Sequence, residues 1–366
     1  MTAARTWAAQ WFDPGRLIFL AIAAVAIFAA PQVLPNFYLG LLAKYLCFAI
    51  VAVGIDLTWG YGGMLALGQG MFFGLGGYSV GLFLKLQEAG PHKVPDFMSW
   101  SGVDVLPRIY EPLRFGWVAL PAAILVPALL GALLGALVFR QKVRGAYFAI
   151  LTQALAAAFV IFLIGQQAYT GGTNGITNIH FLLGSDLSSP AVQRNLYVII
   201  VVCLLGTFLL ARALVRSRYG RLLIAVRDAE DRVRFLGYNP VHVKVIAFSI
   251  SAGMAGLAGA LFVPVVGIIS PAMMGIVPSF EMLAAVAVGG RGTLVGAVVG
   301  ALLLNYARST LSDIYPGSWT LLQGALFIVV ILVAPTGLVG LVGWLRRQAV
   351  RIPRWPFGSG HPQEAA

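Results

Sequence analysis

The chain has 366 residues, of which 59% are hydrophobic and only 10% charged, with a mean hydropathy of +0.87. A water-soluble domain of this length needs far more polar surface, whereas repeated apolar runs of about 20 residues are what crossing a bilayer requires, so the composition excludes a soluble globular protein. A net charge of +12 would suit a nucleic-acid binder, but in a membrane protein Lys and Arg gather on cytoplasmic loops and set orientation; no nucleic-acid partner is expected.

Apolar runs predict spans near 17–34, 38–58, 62–86, 117–139, 146–165, 196–215, 245–269 and 319–342. The first run ends in Pro35-Asn36-Phe37 rather than a small-residue cleavage site, which predicts a retained span. With Arg5 and Arg16 placed inside, the loop 87–115 falls outside, carrying Lys93, Arg108 and Arg114 against Glu88, Asp96, Asp104 and Glu111. The basic run Arg140 to Arg144 returns inside, the loop 166–195 with its single Arg194 lies outside, and the Arg-rich segment from 217 is again inside. Membrane lipid surrounds such a chain, and both termini, including the tail 345–366, are expected in the cytoplasm.

Region 280–308 behaves differently. Gly289-Gly290-Arg291-Gly292-Thr293 splits it into apolar pieces too short for ordinary crossings, which predicts a re-entrant or short-helix hairpin; broken backbone at that depth must be buried in protein or line a water-filled cavity. The expected architecture is an all-α integral membrane protein. It is a polytopic bundle of about 8–10 transmembrane segments with broken or re-entrant helices, forming one permease domain over 1–366. Gly70/Gly74, Gly77/Gly81, Gly131/Gly135 and Gly296/Gly300 have the small-xxx-small spacing of close helix packing.

Cys47 and Cys203 sit in apolar runs and read as buried small hydrophobes. The four His residues are scattered without metal-ligand spacing, so no metal site is expected, and no clustered acid, base or nucleophile suggests an enzyme. Asp56 beside Trp59 and Tyr61 is placed at the inner interface, where charge is cheap; Glu281 and Arg291 are placed in wet positions.

The segment "SRYGRLLIAVRDAEDRVRFLGYNPVHVK" (217–244) interrupts this apolar chain. Counting Arg212 and Arg216 just upstream, eight Lys or Arg crowd there with three acids. Leu222, Val226, Ala229, Val233 and Leu236 fall at steps of three and four on one helix face. Arg221, Arg227, Asp228, Asp231, Arg232 and Arg234 occupy the others. Gly220 precedes the helix, Gly237 stands at a C-cap position and Pro240 closes it. Three readings fit: a helix lying on anionic lipid, a solvated positive-inside loop, or a helix that docks into a groove on a cytoplasmic partner. The acids count against the first and the caps against the second.

The stretch "YGRLLIAVRDAEDRVRFLGYNPVHVKVIAFSISAGMAGLAGALF" (219–262) resembles the coupling-loop region of permease subunits of branched-chain amino acid type ABC importers. "DLTWGYGGMLALGQGMFFGLGGYSVG" (56–81), "TGGTNGIT" (170–177) and "GGRGTLVGAVVGA" (289–301) resemble further motifs of the same subunits, in the same order; Ala66 and Gly77 depart from the usual Ser and Ala. The wider importer motif E-A-A-x-x-x-G keeps only an acid, Asp231, and Gly237. "VRGAYFAILTQALA" (143–156) and "GQQAYTGGTNGITN" (165–178), with "VPDFM" in the outer loop, are most similar to the urea-type permease, with the branched-chain amino acid type as the alternative.

The resemblance implies a heterodimer with a second homologous permease, two cytoplasmic ATP-binding subunits and an extracytoplasmic solute-binding protein, in a bacterial plasma membrane. The chain contains no G-x-x-x-x-G-K-[ST] phosphate loop, so ATP and its Mg belong to partner chains and no cofactor is expected in this one. The helix within 217–243 would be the coupling helix, with Gly220, Arg221, Val226, Arg227, Ala229, Asp231, Val233, Leu236 and Gly237 meeting the motor. A pathway for urea wants amides, hydroxyls and carbonyls rather than charges. Candidates are Gln69, Thr152, Gln153, Gln166, Gln167, Thr170, Gly171, Gly172, Thr173 and Asn174, since polar groups at membrane depth are costly. A stand-alone channel or secondary transporter would share the broken helices but would not need a capped docking helix.

Overall fold

A computed structural model describes residues 29–314, apart from 91–92, 144 and 183, together with residue 25 and a few positions between 321 and 338. The expected spans at 17–34 and 319–342 and the tail 345–366 fall wholly or largely outside the described residues. Single helical turns aside, nine helices follow in order among the described residues: α1 (Asn36–Ile55), α2 (Gln69–Ala89), α3 (Gly116–Arg140), α4 (Ala146–Gly165), α5 (Pro190–Arg216), α6 (Arg218–Phe235), α7 (Pro240–Val266), α8 (Ile276–Gly289) and α9 (Leu294–Ile314). Among the described residues six helical stretches are long and apolar enough to cross a membrane: α1 with its extension to Tyr61, α3, α4, α5, α7 and α9. The chain is a polytopic helical membrane protein.

The helix starts are written in the residues before them. Ser189 Oγ accepts the Val192 N–H at the head of α5, and Asn239 Oδ1 accepts that of Val241 at the head of α7; each is followed by a Pro at the first helical position, where its missing N–H costs nothing. Helix α7 is the centre of the molecule, packed against α3, α2 and α1. Its run of Ser251, Ala252, Gly253, Ala255, Gly256, Ala258 and Gly259 lets three neighbours approach closely. Helices α3, α4 and α5 turn broad apolar faces outward, including Leu129, Leu133, Ile150, Ile161 and Leu209, as lipid contact demands.

Two ends can be told apart. The Phe139–Gly145 turn and α6 lie together at one, with Arg140, Lys142 and the arginines of α6; we call it the basic end. The other carries the loop after α2 and the 166–189 connection. There Lys85 is buried, its Nζ on Asp96, Glu88 and the Asn178 carbonyl, and Arg114 donates to the Gly90 carbonyl. The loops alternate between the ends in the expected order.

One break sits where hydropathy is continuous. Helix α1 runs on as a π-helical turn, Asp56–Tyr61, and the chain stays irregular until α2 starts at Gln69. The expected span at 62–86 therefore begins seven residues late, with 62–68 threading into the bundle as non-helical chain. On the opposite side, 267–275 dips inward alongside α2: Ile269 lies against Gly77 and Gly81, and Met274 against Gly70 and Gly74. Gly70, Gly74, Gly77 and Gly81 thus make room for this descending segment, whereas Gly76 lets α7 approach, since a Cβ there would collide with the Gly256 carbonyl. Helices α8 and α9 then form a hairpin, closed by a turn at 290–293. Its first arm is short as expected, but the second, 21 residues long, is long enough to cross and corrects the expectation of two short pieces.

Candidate translocation and coupling site

Helix α6 begins at Arg218, three residues before the expected start, because Ser217 is its cap: Ser217 Oγ accepts the Gly220 N–H at 3.3 Å. Gly237 has φ +84°, the left-handed geometry of a helix stop. The periodic face points inward. Leu223, Val226 and Val233 are buried in the protein's own core and Ala229 is half-buried. Val226 and Val233 are therefore not free to enter a groove on another protein. What α6 turns outward is Arg221, Asp231, Arg232 and Arg234, then Phe235 and Leu236, 91% and 75% exposed.

Polar contacts clamp α6 to the bundle. Tyr219 donates to the Val243 carbonyl at 2.7 Å, and Lys244 pairs with Glu230 at 2.7 Å. Burial raises the Tyr219 phenol above its ordinary range, so it remains a donor. The exposed Asp228 accepts from Arg227 Nε at 2.8 Å, which holds its carboxyl below the usual carboxylate range. At Ala229 the backbone leaves helical geometry (φ −155°, ψ 68°), dividing α6 in two. A cavity of about 500 Å³ opens at this break, between α6, the Gly62–Met64 segment and the end of α3.

Arg227 reaches further than its neighbours. Its Nη1 donates to the Gly60 carbonyl at 2.7 Å, inside the π-helical turn. From the other side Asp56, in that turn, accepts the Gly292 N–H at 2.5 Å on Oδ1, and Arg291 lies over the Trp59 ring at 5.8 Å. The turn Asp56–Tyr61 thus joins α6 to the tip of the α8–α9 hairpin. Gly60 is glycine because a Cβ there would collide with both Asp56 Oδ1 and Gly292 N. The sequence reading of Asp56 as a surface charge is corrected: it is 0% exposed, covered by the hairpin tip, and its Oδ2 has no partner. Glu281 is likewise not simply wet but paired with Arg308.

The expected pathway residues separate into two groups. Gln69 and Thr152 lie close together inside the bundle, with Gln153 next to Thr152 on α4. Thr152 Oγ1 accepts the Leu67 N–H at 3.1 Å, and Gln69 Nε2 donates to Ser251 Oγ at 3.1 Å. Gln69 Oε1, both amide atoms of Gln153 and Ser279 Oγ are buried without partners. Gln166 and Thr170 to Asn174 lie at the far end of α4, about 20 Å along the helix axis from Thr152. There Thr170 donates to the Leu163 and Gln166 carbonyls, Gly171 and Gly172 have positive φ, and Thr173 and Asn174 are exposed. The stretch is tied down by the Ile176–Ile269 backbone bridge. It is a packed turn holding the descending segment, beside an apolar cleft of about 700 Å³ between α2, α3 and α4 that Gln166 and Thr170 help to line.

Ser251, Ser279, the Asp56–Gly292 bond and the Arg227–Gly60 bond escaped the sequence reading. Only Asp56 carried a usable signal, an acid within an apolar run. Among the described residues no group of His, Cys, Asp and Glu could hold a metal ion.

A broken-helix bundle with a clamped basic helix at one end narrows the class, and comparison with known proteins decides it. The family model described as "Branched-chain amino acid transport system / permease component" matches residues 37–331. The chain belongs to that family. The permease is 28% identical over 346 residues to the high-affinity branched-chain amino acid transport system permease protein LivM of Salmonella typhimurium, spanning 88% of this chain and 75% of that protein. It is 24% identical to BraD of Pseudomonas aeruginosa, named for the same transport system, over 80% of this chain and 91% of that one. The ribose import permease protein RbsC of Escherichia coli is 30% identical over 53% of the chain and 61% of its own length. No solved structure matches the permease. The family is one of transport subunits, not enzymes, and nothing in these likenesses supports the urea-type reading of 143–156; the branched-chain alternative fits better.

Proposed function

We propose that the permease is a membrane-spanning subunit of an ATP-driven importer for branched-chain amino acids. The observation that carries this reading is the likeness to LivM across 88% of the chain, joined to a basic end built around a clamped helix. Its partners are a second homologous permease, two cytoplasmic ATP-binding subunits and an extracytoplasmic solute-binding protein, in a bacterial inner membrane with the basic end facing the cytoplasm.

In this mechanism the ATP-binding subunit grips the outward face of α6 around Arg221, Asp231, Phe235 and Leu236, near the Gly237 stop. Val226 and Val233, seated in the core, pass the displacement inward. Arg227 passes it to the π-helical turn, and Asp56 to the hairpin tip. Nucleotide binding drives transport only insofar as it favours one access state over the other. Gln69, Thr152 and Gln153 line the pathway, and Gln166 with the Thr170–Asn174 turn shapes its outer mouth.

The test is reconstitution of the complete importer in liposomes, followed by ATP-dependent uptake of labelled leucine, urea and ribose. Leucine accumulation that needs ATP supports the reading. Urea or ribose uptake without leucine uptake would refute the substrate assignment, and uptake without the ATP-binding subunits would refute the importer.

A further inference from the structure

The first turns of two helices meet within the bundle, each reached by non-helical chain, with Ser279 buried at the contact and Ile276 and Val277 on the exposed side of α8. Helix α2 starts at Gln69, after 62–68 has threaded in from the basic end, and α8 starts at Ile276, after 267–275 has descended from the other. A Cβ on Gly70, in the first turn of α2, would stand 2.7 Å from Ser279 Oγ and 2.9 Å from the Met274 carbonyl. Both helices are preceded by glycine, Gly68 and Gly275, and neither first turn is capped by a side chain. Pro278 has no N–H, and those of Met71 and Ser279 bond back to the Gly68 and Gly275 carbonyls. Gln69, Gly70, Ile276 and Val277 therefore supply the N–H groups which, with the positive ends of the two dipoles, attract anions.

The side chains at this junction are also unsatisfied. Gln69 is 1% exposed with Oε1 unpartnered, and Ser279 is 2% exposed with Oγ unpartnered. Such orphaned polar atoms are rare in native interiors and need an explanation. The two atoms complement each other: the Ser279 hydroxyl can donate, whereas the Gln69 carbonyl oxygen can only accept. A ligand that offers an acceptor to the hydroxyl and a donor to the amide oxygen meets both demands, and with two positive helix ends beside them a carboxylate next to an ammonium does so best.

We infer that the junction of the α2 and α8 N-termini is the permease's own binding site for the α-amino and α-carboxylate groups of its substrate. The carboxylate sits on the two helix ends and the Ser279 hydroxyl; the ammonium donates to Gln69 Oε1. Side chains of different size stay outside this junction, toward the half-exposed Ile276, Val277 and Phe280. The inference rests on the amino acid reading above. In the present conformation the helix ends close on one another, so the ligand enters only when the hairpin and α2 move apart. Discontinuous helices whose ends meet a substrate between two such states are a recurrent design of transporters.

Direct binding tests this. The purified importer, without its solute-binding protein, is titrated with labelled leucine in competition with 4-methylpentanoate, which lacks the ammonium, and leucinol, which lacks the carboxylate. The expected result is that 4-methylpentanoate competes and leucinol does not. Ser279→Ala should weaken leucine binding about tenfold, the loss of one hydrogen bond to a charged group. Gln69→Met should weaken leucine while sparing 4-methylpentanoate, and it serves if Ser279→Ala fails to assemble. Competition by leucinol equal to that of 4-methylpentanoate, unchanged affinity in both variants, or no leucine binding by an importer that still transports leucine would each overturn the site and leave the proposed function standing. Failure to transport leucine at all would instead remove the reading on which it rests.

Discussion

At the scale of single residues, Asp56 shows how a buried acid can be structural. Its Oδ1 satisfies the Gly292 N–H at a turn that has little else to bond. Asp56→Ala leaves that part-buried N–H unpaired, a cost of about 1 kcal/mol, and should lower the thermal midpoint of the purified complex. Asp56→Asn keeps an acceptor and should retain most of the stability. Equal losses in both variants would mean that the charge, not the hydrogen bond, is what the hairpin tip requires. Asp56 was visible in the sequence as an acid in an apolar run, but its burial was not. The group that covers it arrives 236 positions later, and hydropathy holds no information about which loop lands on which turn.

At the scale of elements, α6 separates two roles that one amphipathic pattern had merged. Val226→Asp places a charge in the permease's own core, which costs several kcal/mol and should prevent assembly, seen as loss of the folded subunit from membranes. Phe235→Asp alters a side chain that is 91% exposed and should leave the subunit folded while weakening its co-purification with the ATP-binding partner. Stable partner binding by Phe235→Asp would move the docking surface elsewhere on α6. The helix, its stop at Gly237 and its apolar period were legible in the sequence. The destination of the apolar face was not, because a period of 3.6 identifies a buried stripe without naming what buries it. The α8–α9 hairpin was legible for the opposite reason: Gly289 to Gly292 interrupts the hydropathy itself. The break before α2 was hidden, since Met64, Leu65, Ala66 and Leu67 keep the run apolar while the backbone ceases to be helical.

At the scale of the whole molecule, the two ends differ in charge, and the proposed topology makes that difference a statement about sides. Single cysteines replacing Arg232 and Asp104, in a background freed of Cys47 and Cys203, should label with a membrane-impermeant thiol reagent from opposite faces of inside-out and right-side-out vesicles. Labelling from the same face would invert or break the assigned order of spans. The chain through Arg227, the π-helical turn and Gly292 also makes a global prediction. Arg227→Ala should lower leucine moved per ATP hydrolysed by severalfold while hydrolysis continues. A parallel fall in both rates would assign Arg227 to assembly rather than to transmission.

The row of glycines at 70, 74, 77 and 81 forms a track on which the 269–274 segment rests. A track can be shimmed. At Gly81 the nearest neighbour of an added methyl is the Ile269 side chain at 3.1 Å, so alanine there asks for a shift of a few tenths of an ångström and valine for more. A graded set of side chains at this position therefore works as a ruler for how deep that segment must sit before the permease can cycle.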